Sequence, residues 1–205
     1  MPDLDWNRET WDGNYGWTGG GEEWSQGWGG SEAQWFGSIY PRLHRTLPTG
    51  CVLEIAPGFG RWTKFLLPLC TNYIGVDLSV TCVSACRDVF ARAPHARFLQ
   101  NDGLSLAEIA DGSVDVVFSF DSLVHAELDV LSQYIPQIMQ KLTATGIAFL
   151  HHSNFLSVGA NQDNPHCRAV SVSAAKVADL VSVNGGRVLI QEIVNWGGHG
   201  ATRLF

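Results

Sequence analysis

The stretch VLEIAPGFGRW, residues 52–62, carries three kinds of local order in quick succession. CVLEI (51–55) is a short apolar run with a β-branched start, as a buried strand requires. APGFG (56–60) follows as a turn, because Pro and Gly together favour one. RWTKFLLPLC (61–70) then spaces its apolar side chains as an amphipathic helix does. Strand, glycine loop and helix in that order put Gly58 and Gly60 where a missing side chain lets a ligand approach the backbone, and where N–H groups at a helix start face it.

The same alternation continues downstream. NYIGVD (72–77), ARFLQ (96–100), VDVVFSF (114–120) and GIAFLHH (146–152) read as strands. Between them, SVTCVSACRDVFARA (79–93), a short GLSLAEIA (103–110) and LVHAELDVLSQYIPQIMQKL (123–142) read as helices. Strands that alternate with helices require right-handed crossovers and a mainly parallel sheet covered on both faces. The expected fold is therefore α/β, doubly wound and Rossmann-like. After a loop at 159–168, a helix is expected from Ser171 or Ser173 to Gly185-Gly186, then a strand at RVLIQEIVNW (187–196) and a last short one at ATRLF (201–205), about seven strands in all.

Upstream, Trp35, Phe36, Ile39 and Leu43 share one face of a helix that begins with Ser31 as N-cap and kinks at Pro41. Residues 1–30 differ in kind: Trp6, Trp11, Trp17, Trp24 and Trp28 stand among glycines and acids without helical or strand period. Composition reads the first twenty as a flexible or partly ordered arm. Two tryptophans beside Gly29-Gly30 read as a lid. The organisation expected is an arm or lid over 1–30 and one domain over 31–205.

Composition narrows the partners. The chain has 205 residues, 45% hydrophobic and 16% charged, and a formal net charge of −7. A phosphate backbone is bound through clustered Lys and Arg, so nucleic acid is disfavoured and a small-molecule partner is expected. No apolar run reaches the length of a membrane span, and MPDLDWNRET has neither the basic start nor the apolar core of a secretory signal. Five scattered cysteines, Cys51, Cys70, Cys82, Cys86 and Cys167, read as buried thiols in a reducing, cytoplasmic setting. Cys82 and Cys86 share a helix face but supply only two of the four ligands of a closed zinc site, so no metal is assigned. A monomer or a homodimer is expected.

Asp77 ends the strand after the glycine loop, the position from which an acid binds a ribose diol. A helix N-cap is its other reading. The loop itself is Glu-x-Ala-x-Gly-x-Gly and lacks the third glycine of the dinucleotide fingerprint, which counts against NAD. In these residues the sequence resembles the class I S-adenosylmethionine methyltransferases, with Ala56 standing where their first loop glycine usually is. IGVDLS (74–79), QNDGLSL (100–106) and VDVVFSFDSLVHAE (114–127) are similar to the family's next motifs, so the likeness runs over residues 51–152.

The resemblance implies S-adenosylmethionine as cofactor and S-adenosylhomocysteine as product. It implies that Glu54 and Gly58 lie near the amino-acid end, that Asp77 binds the ribose hydroxyls, that Asp102 and Gly103 meet the adenine, and that Phe120 borders the sulfonium. Ala56, Gly60, Leu78 and Asp121 of the same motifs, with Trp28 of the arm, complete the expected cofactor contacts. A turn residue is the other reading of Asp102.

Methyl transfer needs an acceptor held against the methyl carbon in a dry pocket, and a hydroxyl or amine acceptor must lose a proton. Histidine suits that base. His125 is the first candidate. Of His151 and His152, which close a strand, alternation lets one face the pocket. Asp121, His125 and one of that pair also have the chemistry of a divalent-metal site. The acceptor pocket is expected from the arm and the Ser153–Arg168 loop, with Trp24, His125 and Asn154 as candidate contacts. An NAD(P)-linked oxidoreductase and a non-catalytic cofactor-binding protein are the competing readings.

Overall fold

In the computed structural model, which describes residues 2–158, 164, 166–195 and 202–204, the strand–loop–helix unit at 51–66 lies at the middle of the sheet. Five strands, β1 (Thr49–Ile55), β2 (Cys70–Asp77), β3 (Ala96–Gln100), β4 (Val114–Ser119) and β5 (Leu142–Leu150), pair in the order β3-β2-β1-β4-β5, all parallel. The order reverses between β1 and β4, and in such sheets the crevice for a ligand opens at the carboxyl ends there.

The arm begins with α1 (Leu4–Glu9) and a π-helical turn at Thr10–Asn14, and continues with a 3-10 helix at Glu22–Trp28. Next come α2 (Ser31–Gln34) and α3 (Tyr40–Leu43), joined through a second π turn at Trp35–Ile39. α4 (Thr63–Leu66), α5 (Val80–Val89) and α6 (Leu128–Lys141) follow β1, β2 and β4; α7 (Phe155–Val158) and α8 (Ala174–Val183) follow β5. Side-chain alternation splits the strands between two cores. Leu53, Ile55 and Val117 pack with Leu131, Ile135 and Val177 of α6 and α8. Val52, Val116 and Phe118 face Trp35, Ile39 and Leu43 on the other side.

Several expectations are corrected. The sheet has five strands rather than about seven: β6 (Ile193–Asn195) and β7 (Thr202–Leu204) form a separate antiparallel pair, and residues 187–192 carry no strand pairing, with Leu189 and Ile190 exposed. The remainder of the two expected terminal segments, at 196, 201 and 205, lies outside the described residues. Residues 103–110 form turns and bends instead of a helix, and Gln137 of α6 takes both the Leu106 N–H and the Leu104 carbonyl that a helix ladder there would use. The extra residue of the π turn rotates Phe36 out of the apolar face, leaving it 57% exposed while Trp35, Ile39 and Leu43 are buried. Ser31 does not cap: Gly30 holds that place, and the Ser31 hydroxyl donates to Glu22. α6 starts at Leu128, not Leu123, because Glu127 turns aside to accept the N–H groups of Val170 and Ser171. β5 starts at Leu142 and ends before His151. Ser173 does cap α8, accepting from the Lys176 N–H.

At Gly60, φ is +85°, and a Cβ would lie 2.3 Å from the Phe90 ring. Gly60→Ala is expected to cost about 1–3 kcal/mol in unfolding free energy, from a left-handed backbone and a displaced ring together, as read by urea titration.

Candidate functional site

A cleft opens over the carboxyl ends of β1, β2 and β4, and its floor is the glycine loop. Ala56, Gly58 and Gly60 all have positive φ, at 57°, 59° and 85°. For Ala56 this conformation costs about 1–2 kcal/mol. The residue is held there from both sides, its N–H donating to the Val76 carbonyl at 2.7 Å and its carbonyl accepting from Ser122 Oγ at 2.8 Å. Gly58 lines the cleft; Gly60 faces away, toward Phe90.

Asp77 is 5% exposed and lines the cleft beside Leu78. Its Oδ2 accepts from the Gly58 N–H at 3.0 Å and its Oδ1 from the Ser79 N–H at 2.9 Å. Burial pushes its pKa up to about 6 against those bonds. A carboxylate has about four acceptor positions, so two remain for a diol after the loop has taken its share. Glu54 stands beneath the loop and does not line the cleft. Its Oε2 accepts from Thr63 Oγ1 at 2.8 Å and from the Tyr73 hydroxyl, and burial pushes its pKa up to about 7.

Gly103 lines the cleft, whereas Asp102 is exposed, holds the turn through Leu104 and Ser105, and borders a separate hollow with Gln100 and Asn101. Phe120 lines the cleft, stacked on His151 at 4.6 Å. Asp121 follows with φ +66°, 5% exposed, between Arg61 at 3.0 Å and Arg168 at 3.2 Å. Burial pushes its pKa up, but Arg168 and Arg61 outweigh that and hold it at about 2.

Among the candidate bases, His125 lines the cleft from a 3-10 turn at Leu123–His125. Its Nδ1 is 2.9 Å from the Cys167 carbonyl, which can only accept, so Nδ1 donates to it. His151 and His152 are both buried and neither lines the cleft. His151 stands behind Phe120 and accepts the Asp121 N–H at Nδ1 (3.1 Å). His152 donates from Nδ1 to the Ser153 carbonyl, and burial pushes its pKa down. Asn154 caps α8 by accepting the Ala174 N–H and also stands off the cleft. Among the described residues no group of three or more His, Cys, Asp or Glu is placed to hold a metal ion.

The roof is the arm. Trp11, Trp17 and Trp24 line the cleft, while Trp28 does not. Trp17 stacks on Phe59 with centroids 4.5 Å apart, and Trp11 lies 5.3 Å from the His125 ring. Asp12 ties the roof to the start of α5: Oδ1 accepts from Ser79 Oγ at 2.5 Å and from the Thr81 N–H at 3.3 Å. Sequence reasoning missed Arg61, Trp62, Arg168, Trp11 and Trp17 as site residues. Arg61 and Trp62 were readable, since they follow Gly60 directly. Arg168 ends the Ser153–Arg168 loop expected at the acceptor pocket, but no local signal marks its pairing with Asp121.

Two of the glycines that line the cleft, Gly58 and Gly103, form a cradle that a side chain would fill. A Cβ at Gly58 would lie 3.0 Å from Trp17, and one at Gly103 would lie 2.5 Å from Leu4. With the diol acceptors left on Asp77, these residues suit an adenosyl cofactor with an amino-acid tail.

A methyltransferase-domain family model matches residues 52–146. No curated protein matches the chain. Among solved structures, the chain is similar to the PH0226 protein of Pyrococcus horikoshii OT3 at TM-score 0.66 and 19% identity, over 82% of this chain and 86% of that one. It is similar to an S-adenosylmethionine-dependent methyltransferase from Clostridium acetobutylicum ATCC 824 at TM-score 0.65 and 15% identity, over 83% and 88%. The DhpI–SAH complex matches at TM-score 0.58 and 16% identity, over 99% and 93%. At these identities the likeness is one of fold. No helix among the described residues is long and apolar enough to cross a membrane.

Glu54 binds its proton more tightly in the folded chain than at its ordinary value of 4.5. Its contribution to stability is therefore full below about 4.5 and lost as pH rises through about 7. The urea midpoint of the ligand-free protein should fall between pH 5 and 8, and Glu54→Gln should make that fall shallower; equal slopes would mean that Glu54 does not titrate in this window.

Proposed function

Because this chain carries a methyltransferase domain on the class I S-adenosylmethionine-dependent fold, we propose that it transfers the methyl group of S-adenosylmethionine to an oxygen or nitrogen atom of a small-molecule acceptor, leaving S-adenosylhomocysteine. The observation that carries this reading is His125. Its imidazole stands in the same cleft as the Gly58 loop and Asp77, with Nδ1 anchored on the Cys167 carbonyl.

Bound S-adenosylmethionine supplies an electrophilic methyl carbon on a sulfonium. The chain's own residues supply the rest. Asp77 accepts from the ribose hydroxyls, and the backbone at Gly58 gives the tail a close approach. The Phe120 ring and the indoles of Trp11 and Trp17 present π faces, which favour a nearby cation and exclude water. His125 takes the acceptor's proton, and the Cys167 carbonyl stabilises the imidazolium that results. Two features support a small acceptor: the aromatic roof covers the cleft, and 13 basic against 20 acidic residues give little to hold a nucleic acid. A cytoplasmic setting agrees with five free cysteines.

A cofactor lying against Gly58 and Gly103 takes the space that Trp17 and Leu4 fill in this structure. Residues 4–24 therefore act as a lid that lifts to admit the cofactor and closes over it, and the contacts of Asp12 with Ser79 and Thr81 are its latch.

Calorimetry is expected to give micromolar binding of S-adenosylmethionine and S-adenosylhomocysteine and none of NAD. Binding of NAD alone would overturn the reading. With a panel of hydroxyl and amine acceptors, His125→Ala should lower kcat about 10²–10⁴-fold while homocysteine-product affinity stays within a few-fold. Asp12→Ala should leave the melting temperature nearly unchanged and speed product dissociation several-fold, followed by tryptophan fluorescence in stopped flow; an unchanged rate would remove the latch.

A further inference from the structure

Arg61 is a cation built into the wall of the cleft and 6% exposed. Its guanidinium lies 4.5 Å over the Trp62 ring and 5.3 Å from the Trp24 ring, while Nη1 donates to Ser25 Oγ at 3.1 Å and Nη2 to Asp121 Oδ2 at 3.0 Å. Two indole faces and two hydrogen bonds fix its position, yet they use only two of its five N–H donors. Asp121 is the one carboxylate among the described residues in ion-pair contact with it, and Asp121 divides its charge with Arg168. The other acid on the cleft, Asp77, is committed to the amides of Gly58 and Ser79.

The neighbouring residue gives an independent sign. Trp62 lines the same cleft and is 2% exposed, and its indole Nε1 is a buried donor with no acceptor. Buried donors are normally paired, and one that is not marks a place where a partner belongs. A fixed guanidinium and an orphaned N–H on adjacent residues ask for the same kind of partner, a group with two acceptor oxygens and negative charge.

We propose that Arg61 and the Trp62 indole N–H form an oxyanion subsite within the cleft, sized for a carboxylate or phosphate group. Two sources carry that chemistry, the α-carboxylate of the cofactor and an acidic group on the acceptor; the first rests on the cofactor reading above, and the second does not.

Two variants separate the possibilities without orphaning a charge. Trp62→Phe keeps the ring and removes the N–H. Arg61→Gln leaves Asp121 paired with Arg168. On the full chain, calorimetry would compare S-adenosylhomocysteine, 5′-methylthioadenosine, which lacks the amino-acid end, and inorganic phosphate added with the product present. A tenfold or larger loss of S-adenosylhomocysteine affinity in both variants, with methylthioadenosine unchanged, assigns the subsite to the cofactor's carboxylate. Unchanged product affinity with loss of phosphate binding assigns it to an acidic acceptor. If the wild type binds neither adenosyl ligand, the cofactor reading fails, and loss of phosphate binding in the variants still upholds the subsite. Equal binding of every ligand by the wild type and both variants, or no phosphate and no adenosyl binding by the wild type, overturns it.

Discussion

The hydrogen bond from the Gly58 amide to Asp77 joins the ends of two neighbouring strands and sets the shape of everything above them. It fixes the middle of a loop that takes left-handed φ at three alternate positions, Ala56, Gly58 and Gly60. The carboxylate is buried, and its second bond, to the Ser79 amide, holds the N-cap residue of α5, whose hydroxyl accepts the Cys82 N–H and donates to Asp12. One side chain therefore holds the glycine loop and the N-cap of α5 together at the floor of the cleft. Glu54 buttresses the same loop from below, through Thr63 and Tyr73, which explains a buried acid that no ligand in the cleft can reach.

The strands, their order of appearance, the glycine loop and Asp77 were legible because each is encoded locally. A parallel strand buried on both faces must be a short apolar run, and a close backbone approach must use glycine. The 103–110 segment departs from its helical apolar spacing where Gln137 of α6 takes the Leu106 amide and the Leu104 carbonyl, a tertiary contact that periodicity does not register. Phe36 misled because a single π turn rotates a helix face without changing its composition. His151 and His152 lie just beyond β5, which ends at Leu150, so strand alternation does not govern which way they face.

The arm was illegible for a different reason. Its order does not come from its own period but from distant partners: Asp12 on Ser79 and Thr81, Trp17 on Phe59, Asn7 on the His125 carbonyl. Glycines there supply the bends between aromatic anchors, which composition alone reads as disorder. Arg168 is hidden in the same way, since its ion pair with Asp121 spans 47 residues of sequence.

That ion pair also decides which chemistry Asp121 can perform. A carboxylate that serves a metal must offer its oxygens to the ion, and one that serves as a base must be able to take a proton near neutral pH. Asp121 does neither well: each oxygen already accepts from a guanidinium, and the two cations hold its pKa at about 2. Its amide, meanwhile, is directed at His151, so the residue anchors the turn that carries Phe120 into the cleft. Under the proposed function the proton-accepting role is therefore assigned to His125, the one histidine lining the cleft among the described residues, whose Nδ1 faces a carbonyl that cannot donate.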